Sequence, residues 1–188
     1  MSENHVKDDY SYLKIDLTRP VLFLDLCGVL NNCLSSTFSW YPDKVERRWL
    51  RHDHVEGHKA DLLFALLKHR NVQVIMVSSW VSAHLRHDAK GIDELRTFFG
   101  YEDIMGSVST GGGPERGRSV LACVEWHGLH RWGVLDDSEQ MYDLAALGLG
   151  RLFSPHGRYG LTDQLLERLD TEAFLEDPEE AFVPPTTR

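Results

Sequence analysis

Apolar residues in this chain come in short unbroken runs, separated by longer stretches in which they recur every three or four positions. PVLFLDL at 20–26 and VQVIMVSS at 72–79 are the strongest runs, rich in β-branched or aliphatic residues. Neither alternates apolar with polar, which is the mark of a strand covered on both faces. Weaker strands are predicted at Ile104 to Val108, at Trp132 to Leu135 and around Arg151 to Phe153. Between them Leu62, Leu63, Leu66 and Leu67 repeat at helical spacing, as do Val120, Leu121 and Val124, and later Leu161, Leu165, Leu166 and Leu169. Strands alternating with helices predict an α/β protein, a Rossmann-like three-layer sandwich with a central, mostly parallel sheet. In such a sheet ligands bind outside the carboxyl ends of the strands.

Size and charge narrow the picture. With 188 residues, 42% of them hydrophobic, the chain suits one domain with a full core. A formal charge of −9 opposes non-specific binding to nucleic acid or to an anionic membrane, although a local basic patch remains compatible with it. No apolar run approaches the ~20 residues that span a bilayer, so no membrane partner is expected. Cys27, Cys33 and Cys123 make an odd number, and the polar start MSENHVKDDYSY has no signal-peptide pattern. Free thiols and a cytoplasmic location are the expectation.

The strand ends hold the candidate chemistry: Asp25 with Cys27 and Gly28, then Ser78 and Ser79, then Asp136 and Asp137 in WGVLDDS. Carboxylates gathered with a hydroxyl suit phosphoryl transfer. One aspartate can attack phosphorus and form an acyl phosphate, while a second helps to hold Mg²⁺, which offsets the charge of nucleophile and phosphate. Gly28 lets the backbone approach an anion. Each residue also has an ordinary structural role. Asp136, Asp137, Ser78 and Ser79 are common helix caps, and Cys27 can be a small buried hydrophobe.

FLDLCGVLN resembles the first motif of the haloacid dehalogenase superfamily, usually Asp-x-Asp-Gly; VIMVSSW resembles its second motif and VLDDS its fourth. Arg116, in PERGRSVLACVEWHG, stands about where the third motif's lysine is expected, with Arg118 close by. RYGLT and LLERL resemble the closing segment of a small, capless branch that includes the phosphatase-like domain of RNA-repair proteins. The likeness spans about residues 20 to 170. It implies Asp25 as nucleophile and Mg²⁺ as cofactor, held by Asp25, the backbone carbonyl of Cys27, Asp136 foremost and Asp137 beside it. Ser78 then bonds phosphoryl oxygens with Gly28 and Ser79 nearby, and Arg116 supplies the cationic charge.

Position 27 departs from the motif. The family uses an aspartate there as general acid and base, and a thiol with a pKa near ~8.5 is a poor substitute. General acid catalysis contributes about 10²–10⁴-fold, so a slow Mg²⁺-dependent phosphatase follows. Two alternatives stay open: a phosphate-binding or scaffold protein without turnover, and a metal-independent dehalogenase-type hydrolase. The Asp136–Asp137 pair speaks against the second.

Residues 31 to 58 are expected to form a flap or small cap within a domain of 20 to 170, between an N-terminal extension (1 to 19) and an acidic, loose tail (171 to 188). In the flap, KVERRWLRHDH interleaves Arg47, Arg48 and Arg51 with Trp49, a pattern read first as a solvated helix face with aromatic anchors in the core and second as a surface for a phosphorylated polymer end. The expected partner is a phosphorylated substrate, small or polymeric, with a nucleic-acid end among the candidates. His52, His54 and His58 match no zinc spacing, and STGGGPERG lacks the GK[ST] ending of a phosphate loop.

Overall fold

The computed structural model describes residues 10–26, 28–30, 57–78, 89–108, 116–137, 141, 151–155 and 159–174. Five strands, β1 (Val21–Leu24), β2 (Gln73–Met76), β3 (Ile104–Ser107), β4 (Trp132–Leu135) and β5 (Leu152–Phe153), form one sheet in the order β3-β2-β1-β4-β5. Every pairing is parallel. All residues of β1, β2 and β4 are buried, which explains their unbroken apolar runs. The α/β, Rossmann-like expectation is met.

The helices are α1 (Gly57–His69), α2 (Ala89–Phe99), α3 (Arg116–His127) and α4 (Asp163–Arg168), the last continuing as a π-helical turn through Leu169–Ala173. Alternate strand residues feed two separate cores. Leu22, Leu24, Val74, Met76 and Leu135 face α1, α2 and α4 through Leu63, Leu67, Ile92, Leu95 and Leu165. Val21, Phe23, Ile75, Val77 and Val134 face α3 through Val120 and Cys123. The leucine rows of α1 and α4 are thus real helix faces, although Leu62 turns outward and Leu161 precedes its helix, which Thr162 caps. α2 was not among the predicted helices; Ile92, Leu95 and Phe99 carry its signal at helical spacing.

Packing extends past the 20 to 170 span on both sides. Tyr10 and Leu13 are buried in the α3-side core, and Tyr10 donates to the Ser119 carbonyl. Gly106, at φ 150°, admits this crossing: a Cβ there would lie 2.6 Å from a Leu13 methyl. At the other end Ala173 and Phe174 close the opposite core. Residues 31 to 56 of the expected flap, and 175 to 188 of the tail, lie outside the described residues.

The strand order positions the site. From β1 the chain moves one way, through β2 to β3, and then returns to the other side of β1 as β4. The connections carrying α1 and α2 cover one face and that carrying α3 covers the other, so a crevice opens between the carboxyl ends of β1 and β4. Among the described residues no helix is long and apolar enough to cross a membrane.

Candidate active site at the switch point

Register brings the two acidic strand ends together. Leu24 pairs with Leu135, so Asp25 and Asp136 each follow directly on the last pair of β1 and β4, and the Asp25 N–H donates to the Leu135 carbonyl at 2.9 Å. One oxygen each of Asp25, Asp136 and Asp137 lies within 4.8 Å of the others. Three carboxylates this close, two of them buried, repel unless something positive joins them.

Arg116 is that charge. From the first residue of α3 its Nη1 donates to Asp25 Oδ2 at 3.0 Å and to Asp136 Oδ2 at 2.9 Å. Burial alone pulls the Arg116 pKa down, but the charges of Asp25 and Asp136 and their hydrogen bonds outweigh it, and the net direction is up. Arg118 is exposed, so of these two arginines Arg116 is the one that reaches the carboxylates.

Asp136 and Asp137, adjacent in sequence, meet different surroundings. Asp136 is fully buried against Arg116, and its carbonyl accepts from Ser154 Oγ at 3.0 Å. Asp137 is half-buried and lies over Gly28, where a Cβ would sit 1.8 Å from its Oδ2. A side chain at position 28 would displace that carboxylate, and φ of 72° at Gly28 is also a conformation that glycine adopts freely. Burial first, and then the charge of Asp25, raise the Asp137 pKa.

Other buried polar atoms at this edge are unsatisfied. Ser78 Oγ and Arg116 Nε have no hydrogen-bond partner among the described residues, and neither has Ser107 Oγ, whose residue pairs with Met76 on the neighbouring strand. Leaving a buried donor unpaired costs about 1–3 kcal/mol, so these groups suit a ligand that brings acceptors. Ser107 is a site-edge residue that the sequence reading passed over; its only signal is a polar residue ending a buried strand.

The structure therefore brings together Asp25, Gly28, Arg116, Asp136 and Asp137, with Ser78 at the end of the adjoining strand. Cys27, Ser79, Arg47 and Arg48 lie outside the described residues. Cys123 is inside the α3-side core, where burial pushes its thiol up to about 12 and makes it inert. The three carboxylates also fit Mg²⁺, which prefers hard, anionic oxygen donors.

A five-stranded parallel sheet with this acidic cluster and arginine at its switch point is of the haloacid dehalogenase (HAD) type. The chain belongs to the family described as the HAD domain in Swiss Army Knife RNA repair proteins, which it matches over residues 21–166. That span takes in Asp25, Ser78, Arg116, Asp136 and Asp137, and it defines a HAD-like hydrolase domain. No curated protein and no solved structure matches the chain.

Proposed function

We propose that the domain is a Mg²⁺-dependent phosphatase in which Asp25 attacks phosphorus and forms an aspartyl phosphate. The observation that carries this reading is Arg116 Nη1 held between Asp25 and Asp136, beside a third carboxylate and the unpaired Ser78 hydroxyl. Asp25 is already oriented, since its Oδ1 accepts the Leu26 N–H at 2.7 Å and its Oδ2 accepts from Arg116. Ser78 Oγ and the free Nε of Arg116 supply donors to phosphoryl oxygens as charge develops on them. Asp25 and Asp136 both hold Arg116, which leaves the half-buried Asp137 as the more accessible carboxylate for the ion. The ion, when bound, offsets the negative charge of these carboxylates and of the phosphate.

Cys27 sets the rate. Without a carboxylic acid two residues after the nucleophile, the departing oxygen lacks an efficient proton donor, and turnover is slow. The same residue favours a second reading, a phosphate-binding domain without turnover.

Turnover assays separate the two. In Mg²⁺ the wild type should hydrolyse an activated aryl phosphate, and Asp25→Asn should abolish the reaction, because the amide cannot form the acyl phosphate. Cys27→Asp should raise turnover of an alkyl phosphate by up to roughly 10²–10⁴-fold and of the aryl phosphate much less. A folded Cys27→Asp protein with no gain, and a wild type with no turnover, would leave the binding role.

A further inference from the structure

Asp136 and Asp137 are neighbours in sequence whose carboxylates go separate ways, one onto Arg116 and the other over Gly28. Which way each turns is set by the peptide group between them, because rotating that group moves ψ of Asp136 and φ of Asp137 together. A site that uses the two carboxylates differently therefore needs this peptide held in one plane.

The parallel ladder between β4 and β5 begins to hold it and then stops. The Val134 N–H donates to the Arg151 carbonyl at 2.8 Å, and the Asp136 N–H to the Phe153 carbonyl at 3.3 Å. One step further along such a ladder, the N–H of residue 155 would donate to the Asp136 carbonyl. Residue 155 is a buried proline and has no N–H to give. The Ser154 hydroxyl takes its place, donating to the Asp136 carbonyl at 3.0 Å. Proline also biases the residue before it toward extended backbone, which suits a serine that continues a strand. On the other side of β4, the Asp25 N–H holds the Leu135 carbonyl at 2.9 Å. These neighbouring bonds are all backbone to backbone; the bond from Ser154 comes from a side chain, and a substitution can remove it without touching the sheet.

We propose that Ser154 is a positioning residue of the site: by holding the Asp136 carbonyl it fixes the Asp136–Asp137 peptide, and so keeps the Asp137 carboxylate over Gly28 and close to Asp25. Asp136 has a second anchor in Arg116, so release of its carbonyl acts mainly on Asp137. That carboxylate needs holding, because burial and the charge of Asp25 both oppose its ionised form where it sits. Once the peptide can turn, the carboxylate relieves both by swinging toward water, and the three-carboxylate cluster loses its most accessible member. The consequence for metal binding rests on the Mg²⁺ reading of the site; the positioning itself does not.

The test uses the full chain as wild type, Ser154→Ala, Ser154→Thr, Asp137→Asn, and Ser154→Ala combined with Asp137→Asn, with Mg²⁺ alone as the titrant in isothermal calorimetry. Ser154→Ala should weaken Mg²⁺ binding roughly tenfold, the lower end of what loss of an outer-shell partner costs, and Ser154→Thr, which keeps the hydroxyl, should restore it. Asp137→Asn should weaken binding as well, and adding Ser154→Ala to it should change the affinity less than about twofold, because the serine acts through that carboxylate. Undiminished affinity in Ser154→Ala, no recovery with threonine, or additive losses in the combined variant would overturn the proposal. Metal-free thermal melts decide the positioning independently. A Cβ at position 28 would lie 1.8 Å from Asp137 Oδ2, so Gly28→Ala should lower the melting temperature less when Ser154→Ala has already released that carboxylate. Equal losses in the two backgrounds overturn the positioning. If the wild type binds no Mg²⁺, the metal reading fails by itself, and these melts alone sustain or overturn the role of Ser154.

Discussion

The two ends of β2 each hold a buried polar side chain, and their situations are opposite. At the amino end, Gln73 is 1% exposed and fully paired: its Oε1 accepts the Asp16 N–H at 2.8 Å and its Nε2 donates to the Asp16 carbonyl at 2.7 Å. Nearby, Arg19 Nη1 donates to Asp103 at 2.9 Å. At the carboxyl end, Ser78 is equally buried and its hydroxyl has no partner among the described residues. Beside it two of three clustered carboxylates share one arginine. Polar groups at the amino edge are arranged to close the sheet, whereas those at the carboxyl edge are arranged for something that is not part of the chain. Among the described residues four buried side-chain polar atoms lack a hydrogen bond; three of them, on Ser78, Ser107 and Arg116, are at the carboxyl edge, and the fourth, Arg19 Nη2, is still ion-paired with Asp103 at 2.8 Å, a concentration expected of a functional site.

The largest test of that contrast is Arg116→Met. It leaves Asp25 and Asp136 buried without their counter-charge and should cost about 3–5 kcal/mol of folding stability. Urea denaturation measures it, and Mg²⁺ should restore part of the loss by supplying the missing positive charge. A loss below about 1 kcal/mol would mean that the cluster is not held by Arg116.

A matched pair of smaller changes sharpens the comparison along one strand. Gln73→Ala should destabilise by about 1–3 kcal/mol, because it removes two hydrogen bonds to the Asp16 backbone, whose carbonyl keeps only the Arg19 N–H, and it should leave turnover unchanged. Ser78→Ala should leave stability within about 0.5 kcal/mol or improve it, because the hydroxyl it removes has no partner to lose, yet turnover should fall. Reversal of either pattern would break the distinction between the two edges.

Asp137→Asn carries the smallest effect and a definite pH dependence. Burial and the charge of Asp25 raise the Asp137 pKa above its ordinary 3.8, so the folded protein holds this proton more tightly than the unfolded chain does. The stability this brings is complete below 3.8 and is lost as pH climbs through the raised value. At neutral pH the ionised carboxylate is therefore a cost. In metal-free buffer Asp137→Asn should melt higher than wild type at pH 7, with the advantage shrinking as pH falls through the raised value and gone below the ordinary 3.8. Thermal melts across pH check this.

How much of this was legible follows from how local each signal is. β1, β2 and β4 carry their burial in unbroken apolar runs, and the strand-end rule picked out Asp25, Ser78, Asp136 and Asp137 before their spatial relation was known. The division of labour between Asp136 and Asp137 was not legible. It depends on α3 reaching across with Arg116 and on the missing Cβ of Gly28, both of them tertiary facts. Tyr10 and Leu13 escaped notice because two apolar side chains in a polar segment have no period.

The most direct test of the central claim, that the carboxyl edge of β1 and β4 is completed by Mg²⁺ and a phosphoryl group, is the melting temperature of the full chain in saturating Mg²⁺ and inorganic phosphate. Binding at about a hundred times Kd adds roughly 2.7 kcal/mol, and for a domain of this size that amounts to a rise of about 5–10 °C. The wild type should show this rise, with Mg²⁺ and phosphate together exceeding either alone, and Asp25→Asn should lose most of it. No rise in the wild type, or the same rise in Asp25→Asn, would contradict the account.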